Sequence, residues 1–152
     1  MKKSRILLAA ILSMLMLNAC GNDDDGGEND MVGEWKAMDI SADSVAVKDS
    51  SNAHFVKVPA DGASFTLAVD NYDGWYVSSL SVQPAAGAAY QLVYRINHGT
   101  WQPDTAWYDI TVLKNKAKCL IHKNQTSETR TIKLSMASGD IFADIYVVQS
   151  PR

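Results

Sequence analysis

Beyond residue 31 the apolar side chains of this chain recur at every second position, and no stretch keeps a 3.6-residue apolar period over three turns. A period of two places successive side chains on opposite faces of a strand, so the pattern excludes a helical bundle and predicts a sheet protein. Val45 and Val47 form a short run. Phe65, Leu67 and Val69 form the next, then Tyr76, Leu80 and Val82 around Ser78. Tyr90, Leu92, Tyr94 and Ile96 alternate with Gln91, Val93, Arg95 and Asn97. Tyr108, Ile110 and Val112 are answered by Ala117, Cys119 and Ile121 across Lys114-Asn115-Lys116. Ile132, Leu134 and Met136, then Ala143, Ile145 and Val147 leading to Gln149, complete the set.

Turn-forming residues separate the runs at Pro59 to Gly62, Asn71 to Gly74, Asn97 to Gly99 and Ser138 to Asp140. Short strands at this spacing point to an antiparallel sandwich or barrel. The segments 83–89 and 97–106 break the alternation and are expected to be loops. Lys114, Lys116 and Lys118 share one parity, which suits a solvated face or an edge strand guarded against further pairing.

The N-terminus reads as an address. Lys2, Lys3 and Arg5 precede the apolar run Ile6 to Leu17, broken only by Ser13. Twelve helical residues cover about 18 Å, short of the ~30 Å of a bilayer core, so the run suits a cleaved secretory signal better than a membrane span. Leu17-Asn18-Ala19-Cys20 resembles the bacterial lipobox, which implies a signal peptide at 1–19 and lipidation of Cys20. One acyl chain binds membranes marginally, whereas the several chains of a lipidated Cys anchor stably. Gly21 to Asp30, GNDDDGGEND, contains nothing that could enter a core and is expected to be part of a disordered acidic tether. It fails as a calcium loop: placing Asp23 and Asp25 before Gly26 puts Val32 where the bidentate Glu should stand. An acidic run just after the lipid Cys also resembles the surface-export signal of Bacteroidetes lipoproteins, which implies a domain facing outward from the outer membrane. The chain then divides into 1–19, the tether 20–37 and a domain at 38–152.

Charge narrows the partners. The 152 residues carry 14 Lys+Arg and 17 Asp+Glu. Five of the acids lie between Gly21 and Asp30 and three of the bases lie before residue 6, so the remainder is nearly neutral. A balanced domain has no electrostatic footprint for nucleic acid. With Cys20 committed to lipid, Cys119 stands alone, in an alternating run that makes it a small buried apolar residue.

Catalytic constellations are not apparent. His54, His98 and His122 are far apart, with no second ligand at metal spacing. No Gly-x-Ser-x-Gly elbow occurs. Asp104 and Asp109, beside Trp101 and Trp107, could be paired for glycoside hydrolysis, but a domain of roughly 120 residues has little room for a deep cleft. The expectation is a non-enzyme without cofactor or metal.

Several elements occur in a particular order: Pro59-Ala60-Asp61-Gly62 before the strand Ser64 to Val69, Asn71-Tyr72-Asp73-Gly74-Trp75 after it, then Trp107, Asn124-Gln125-Thr126-Ser127-Glu128-Thr129-Arg130, the strand Thr131 to Met136, and a closing Gln149. This order resembles the BACON domain, the Bacteroidetes-associated, carbohydrate-binding, often N-terminal module, over roughly residues 38–150. The stretch 83–106 is longer than that family usually has between its two Trp positions. The expected fold is therefore an antiparallel Ig-like β-sandwich of seven to eight strands, with Trp75, Ile132, Leu134, Ile145 and Val147 inside. Asn124, Thr126 and Arg130 are expected to be structural, closing a turn and tying it to a neighbouring strand. Asp43-Ser44-Val45 and Asp104-Thr105-Ala106 resemble the short O-glycosylation acceptor of the same phylum.

Two functional readings stand. One is a cell-surface module that binds a glycan or mucin; the other is a spacer or adhesion domain whose partners are surface proteins. For the first, the segment His98 to Asp104 offers Trp101 as an apolar stacking face beside Gln102 and Asp104 as hydroxyl partners. The alternative for Trp101 is a lid over the end of the core.

Overall fold

The computed structural model describes residues 36–50, 53–93, 100–101 and 107–152. All regular structure among them is strand. In chain order the strands are β1 (Ile40–Ala42), β2 (Val47–Ser50), β3 (Ala53–Val58), β4 (Ala63–Val69), β5 (Tyr76–Gln83), β6 (Gln91–Val93), β7 (Thr100–Trp101), β8 (Tyr108–Leu113), β9 (Lys116–Ile121), β10 (Arg130–Ser138) and β11 (Ile141–Gln149). They form two sheets, ordered β1-β4-β9-β8-β7 and β2-β3-β11-β10-β5-β6.

The two sheets share one hydrophobic core, a sandwich-like arrangement. Phe65 and Leu67 of β4, Tyr108 and Ile110 of β8, and Cys119 and Ile121 of β9 line one inner side. Val56 of β3, Leu80 of β5, Ile132 and Leu134 of β10, and Ile145 and Val147 of β11 line the other. All of these are buried, and so is Trp75, whose indole N–H donates to the Asn115 carbonyl (3.2 Å). The five core residues expected from the sequence are thus inside.

The turn Pro59 to Gly62 shows why glycine stands where it does. Gly62 has φ +90°, and a Cβ there would lie 2.2 Å from the Ile121 carbonyl oxygen. Only glycine combines that φ with so close a backbone approach.

The structure corrects the sequence reading at several points. Eleven strands occur among the described residues rather than seven or eight, and one pairing is parallel: β11 runs alongside β3, Asp144 opposite Ala53 through Gln149 opposite Val58. β1 and β3 carry no long alternation and were not expected. Tyr76 does not share the parity of Leu80 and Val82. The β5–β10 register shifts so that Ser135 faces Ser79 but Met136 faces Val77, leaving Ser78 as the extra residue of a bulge. The Ser78 hydroxyl bonds the Ser135 carbonyl (3.0 Å). The bulge turns Val77 inward and Tyr76 outward. In β6 the faces are also reversed: Leu92 is exposed, whereas Val93 packs against the core. For Lys116 and Lys118 the first of the two expected readings holds: β9 lies between β4 and β8, so they stand on a solvated face and not on an edge strand.

Candidate functional site

Of the residues expected to act, Cys20, Gln102 and Asp104 lie outside the described residues. Trp101 does not fall in a plain loop: it belongs to β7, at the edge of the five-stranded sheet, in register with Ile110. His54 and His122 are each held by a carboxylate, Asp49 (2.6 Å) and Asp109 (2.9 Å), so Asp109 is engaged by a histidine. Among the described residues no group of three His, Cys, Asp or Glu could hold a metal ion.

One end of the domain gathers the polar residues of the Asn124 to Arg130 segment. Asn124 is fully buried. Its amide donates to the carbonyls of Glu128 (2.8 Å) and Ser150 (3.0 Å), and its carbonyl accepts from the backbone and hydroxyl of Thr126 (3.0 and 2.8 Å). Arg130 donates to the Gln149 side chain (2.7 Å) and lies 4.4 Å above the Trp107 ring. Burial pulls the Arg130 guanidinium below its ordinary value. Gln149, also fully buried, donates in turn to carbonyls of Pro59, Ala60 and His122. This network ties three loops and the last strand together. Apart from the Arg130 Nε, which has no hydrogen-bond partner, these buried side chains are bonded as buried polar groups must be, which makes the cluster a structural clamp.

The outer face of the six-stranded sheet is different in kind. Residues alternating with the core positions of β3, β5, β10 and β11 point outward, and they include Phe55, Tyr76, Lys133, Phe142, Asp144 and Tyr146. Phe55 and Tyr146 stack with centroids 5.2 Å apart and planes within 16°. Lys133 lies over Tyr146 from the β10 side (5.6 Å), so Tyr146 is held between a ring and an ammonium. Asp144 binds Lys133 (2.9 Å) and the Ser135 hydroxyl (2.7 Å). That carboxylate holds the lysine above its usual value, against the pull of burial.

Between this cluster and the β6 edge runs a strip of small hydroxyls, Ser79, Ser81 and Ser135. Its far wall is Tyr90 and Leu92, both exposed; desolvation, then the neighbouring Tyr146, raises the Tyr90 phenol. Leu92 and Tyr146 are three strand spacings apart, about 14 Å. The strip is therefore a shallow trough by register, bounded by Tyr90 and Leu92 on one side and Tyr146 on the other, with hydroxyls and one ammonium–carboxylate pair between them. Sequence reasoning missed it. Phe55 belongs to an unrecognised strand, Tyr76 is turned by the bulge, and Tyr90 and Leu92 resemble core residues in alternation.

No protein-family model matches the chain, and no curated protein matches it in sequence. An NMR structure of a protein from Bacteroides thetaiotaomicron is similar in fold, with TM-score 0.59 and 24% identity, covering 83% of this chain and 97% of its own. That likeness extends to the fold alone.

Proposed function

We propose that this protein is a lipid-anchored module of the outer membrane, facing the cell exterior through an acidic tether on Cys20, and that its single BACON-like domain binds carbohydrate without catalysis. The observation that carries the binding reading is the outward trough of the six-stranded sheet. Sugars are recognised by apolar faces that stack on C–H groups together with polar neighbours for hydroxyls. Tyr90 and Leu92 supply the former, and Ser79, Ser81, Lys133 and Asp144 the latter. Trp101, Gln102 and Asp104 remain a second proposed contact set.

We also propose that the fold is Ig-like. The order β1-β4-β9-β8 corresponds to the A-B-E-D sheet of that architecture, and β11-β10-β5-β6 to G-F-C with an added edge strand. The competing reading, a spacer or adhesion domain with no sugar ligand, draws on one feature: Tyr146 has both faces covered, by Phe55 and by Lys133, as a structural stack would.

An array of purified glycans probed with the chain from Cys20 onward tests the proposal. Retention on at least one glycan, lost in Tyr90→Ala and kept in Lys118→Ala on the opposite sheet, is the expected result. Retention on none, or equal retention by both variants, removes the trough from the site and favours the spacer.

A further inference from the structure

The end of the sandwich where the chain enters carries an apolar patch of its own. Residues 36–39 are pinned to the loop after β4. Tyr72 donates its hydroxyl to the Lys36 carbonyl (2.6 Å), Asn71 donates to the Ala37 carbonyl (2.7 Å) and accepts from the Asp39 backbone (2.8 Å), and Asp70 donates to the Asp39 carbonyl (2.8 Å). The β10–β11 hairpin tip meets the same loop, where the Ser138 hydroxyl bonds the Gly74 carbonyl (3.1 Å). Beside this junction Tyr76 and Phe142 stand opposite Ala137 from either side. Ala137 points outward yet is fully buried, so its neighbours cover it, while Tyr76 is 55% and Phe142 71% exposed. Two neighbouring rings left this exposed offer apolar area that a partner surface could cover at a gain of roughly 25 cal/mol per Å².

We propose that this patch rests on the lipid surface to which the chain is anchored, holding the domain with its entry end down. The inference rests on the lipidation reading of Cys20. Fifteen residues separate Cys20 from Lys36, so a fully extended chain keeps the domain within about 55 Å of the bilayer. A tether of that reach gives an effective concentration on the order of millimolar, enough for a weak apolar contact to be occupied. Within the domain Lys36, Lys114 and Lys116 nearly balance Asp39, Asp70, Asp73 and Asp140, and the five acids between Gly21 and Asp30 add negative charge, so the contact would have to be apolar and not electrostatic.

The test couples the chain from Cys20 onward to maleimide lipid in phosphatidylcholine vesicles. Cys119 does not compete, since burial pushes its thiol up to about 12. Coupling replaces the biological lipid, so the result is independent of whether cells lipidate Cys20, which the mass of the processed N-terminal peptide reports separately. With Phe142→Trp as reporter, brominated acyl chains are expected to quench the added emission at least twofold, and a Leu120→Trp control on the five-stranded sheet is expected to be unaffected. No quenching at position 142, or equal quenching at both positions, overturns the proposal. So does a Phe142-dependent dimer in solution, which would assign the patch to a second copy.

Discussion

The two outer faces of this molecule rest on equivalent inner sides and are dressed differently. The five-stranded sheet presents Ser64, Thr66, Lys116 and Lys118, with Leu113 and Leu120 standing apart among them. The six-stranded sheet presents Phe55, Tyr76, Phe142 and Tyr146, with Tyr90 at its rim, around serines and one ion pair. Either face could solvate a sandwich. Among the described side chains the large aromatic rings stand on only one of them, exposing apolar area that folding does not require, and under the binding proposal that area is where a partner would meet the domain. The difference teaches that the inner pattern decides architecture while the outer pattern holds the information about function.

The comparison is broken most severely from inside, where the faces agree. Trp75→Ala removes a buried ring and is expected to lower stability by about 3–5 kcal/mol. Gln149→Ala strands the Arg130 guanidinium and three carbonyls, with an expected loss of about 3 kcal/mol. Urea unfolding of both variants checks these values. A variant as stable as the parent would remove its residue from the core or the clamp.

On the outer faces the expected losses are smaller and unequal. Tyr146→Ala dismantles the Lys133–Tyr146–Phe55 stack and should cost about 1–2 kcal/mol, from ring stacking and the cation–π contact together. Lys118→Ala on the other sheet should change stability by less than about 0.5 kcal/mol. Equal effects would mean that the aromatic face is no more organised than the lysine face. Trp101→Ala sharpens the comparison at the edge of the five-stranded sheet. An unchanged melting temperature with lost glycan retention would place a contact there, and a large destabilisation would support the lid.

The sequence made one side of this comparison legible and hid the other. Runs such as Ile132-Lys133-Leu134-Ser135-Met136 and Ala117-Lys118-Cys119 declare their inner faces because burial on one side and water on the other enforce a period of two. The same rule misplaced Tyr76, since the extra Ser78 reverses parity and no local residue announces a bulge. It misplaced Leu92, because an edge strand can hold apolar residues outside. It passed over Val56 and Val58 because His54, Phe55 and Lys57 blur the alternation of β3. The trough is assembled from β3, β5, β6, β10 and β11, and only their pairing register brings its residues together. The clamp was more legible: Asn124, Thr126 and Arg130 are types that bond backbone locally, and they do so.

The smallest effect belongs to Asp43, on the plainer face, and its sign can be worked out in full. The carboxylate accepts the backbone N–H of Thr66 (2.8 Å), and that bond, larger than the opposing cost of desolvation, holds its pKa below the ordinary aspartate value. A group whose folded pKa is depressed adds stability above its unfolded pKa, near 3.9, and loses it as pH falls through the lower folded value. The side chain is fully exposed, so solvent screens the contribution and the increment is slight. Asp43→Asn keeps an oxygen for Thr66 but cannot ionise. The urea midpoint of the parent should therefore exceed that of the variant at pH 6, and the gap should close progressively as the acid limb is descended below pH 4. Parallel curves across that range would show that the bond to Thr66 works as well without its charge.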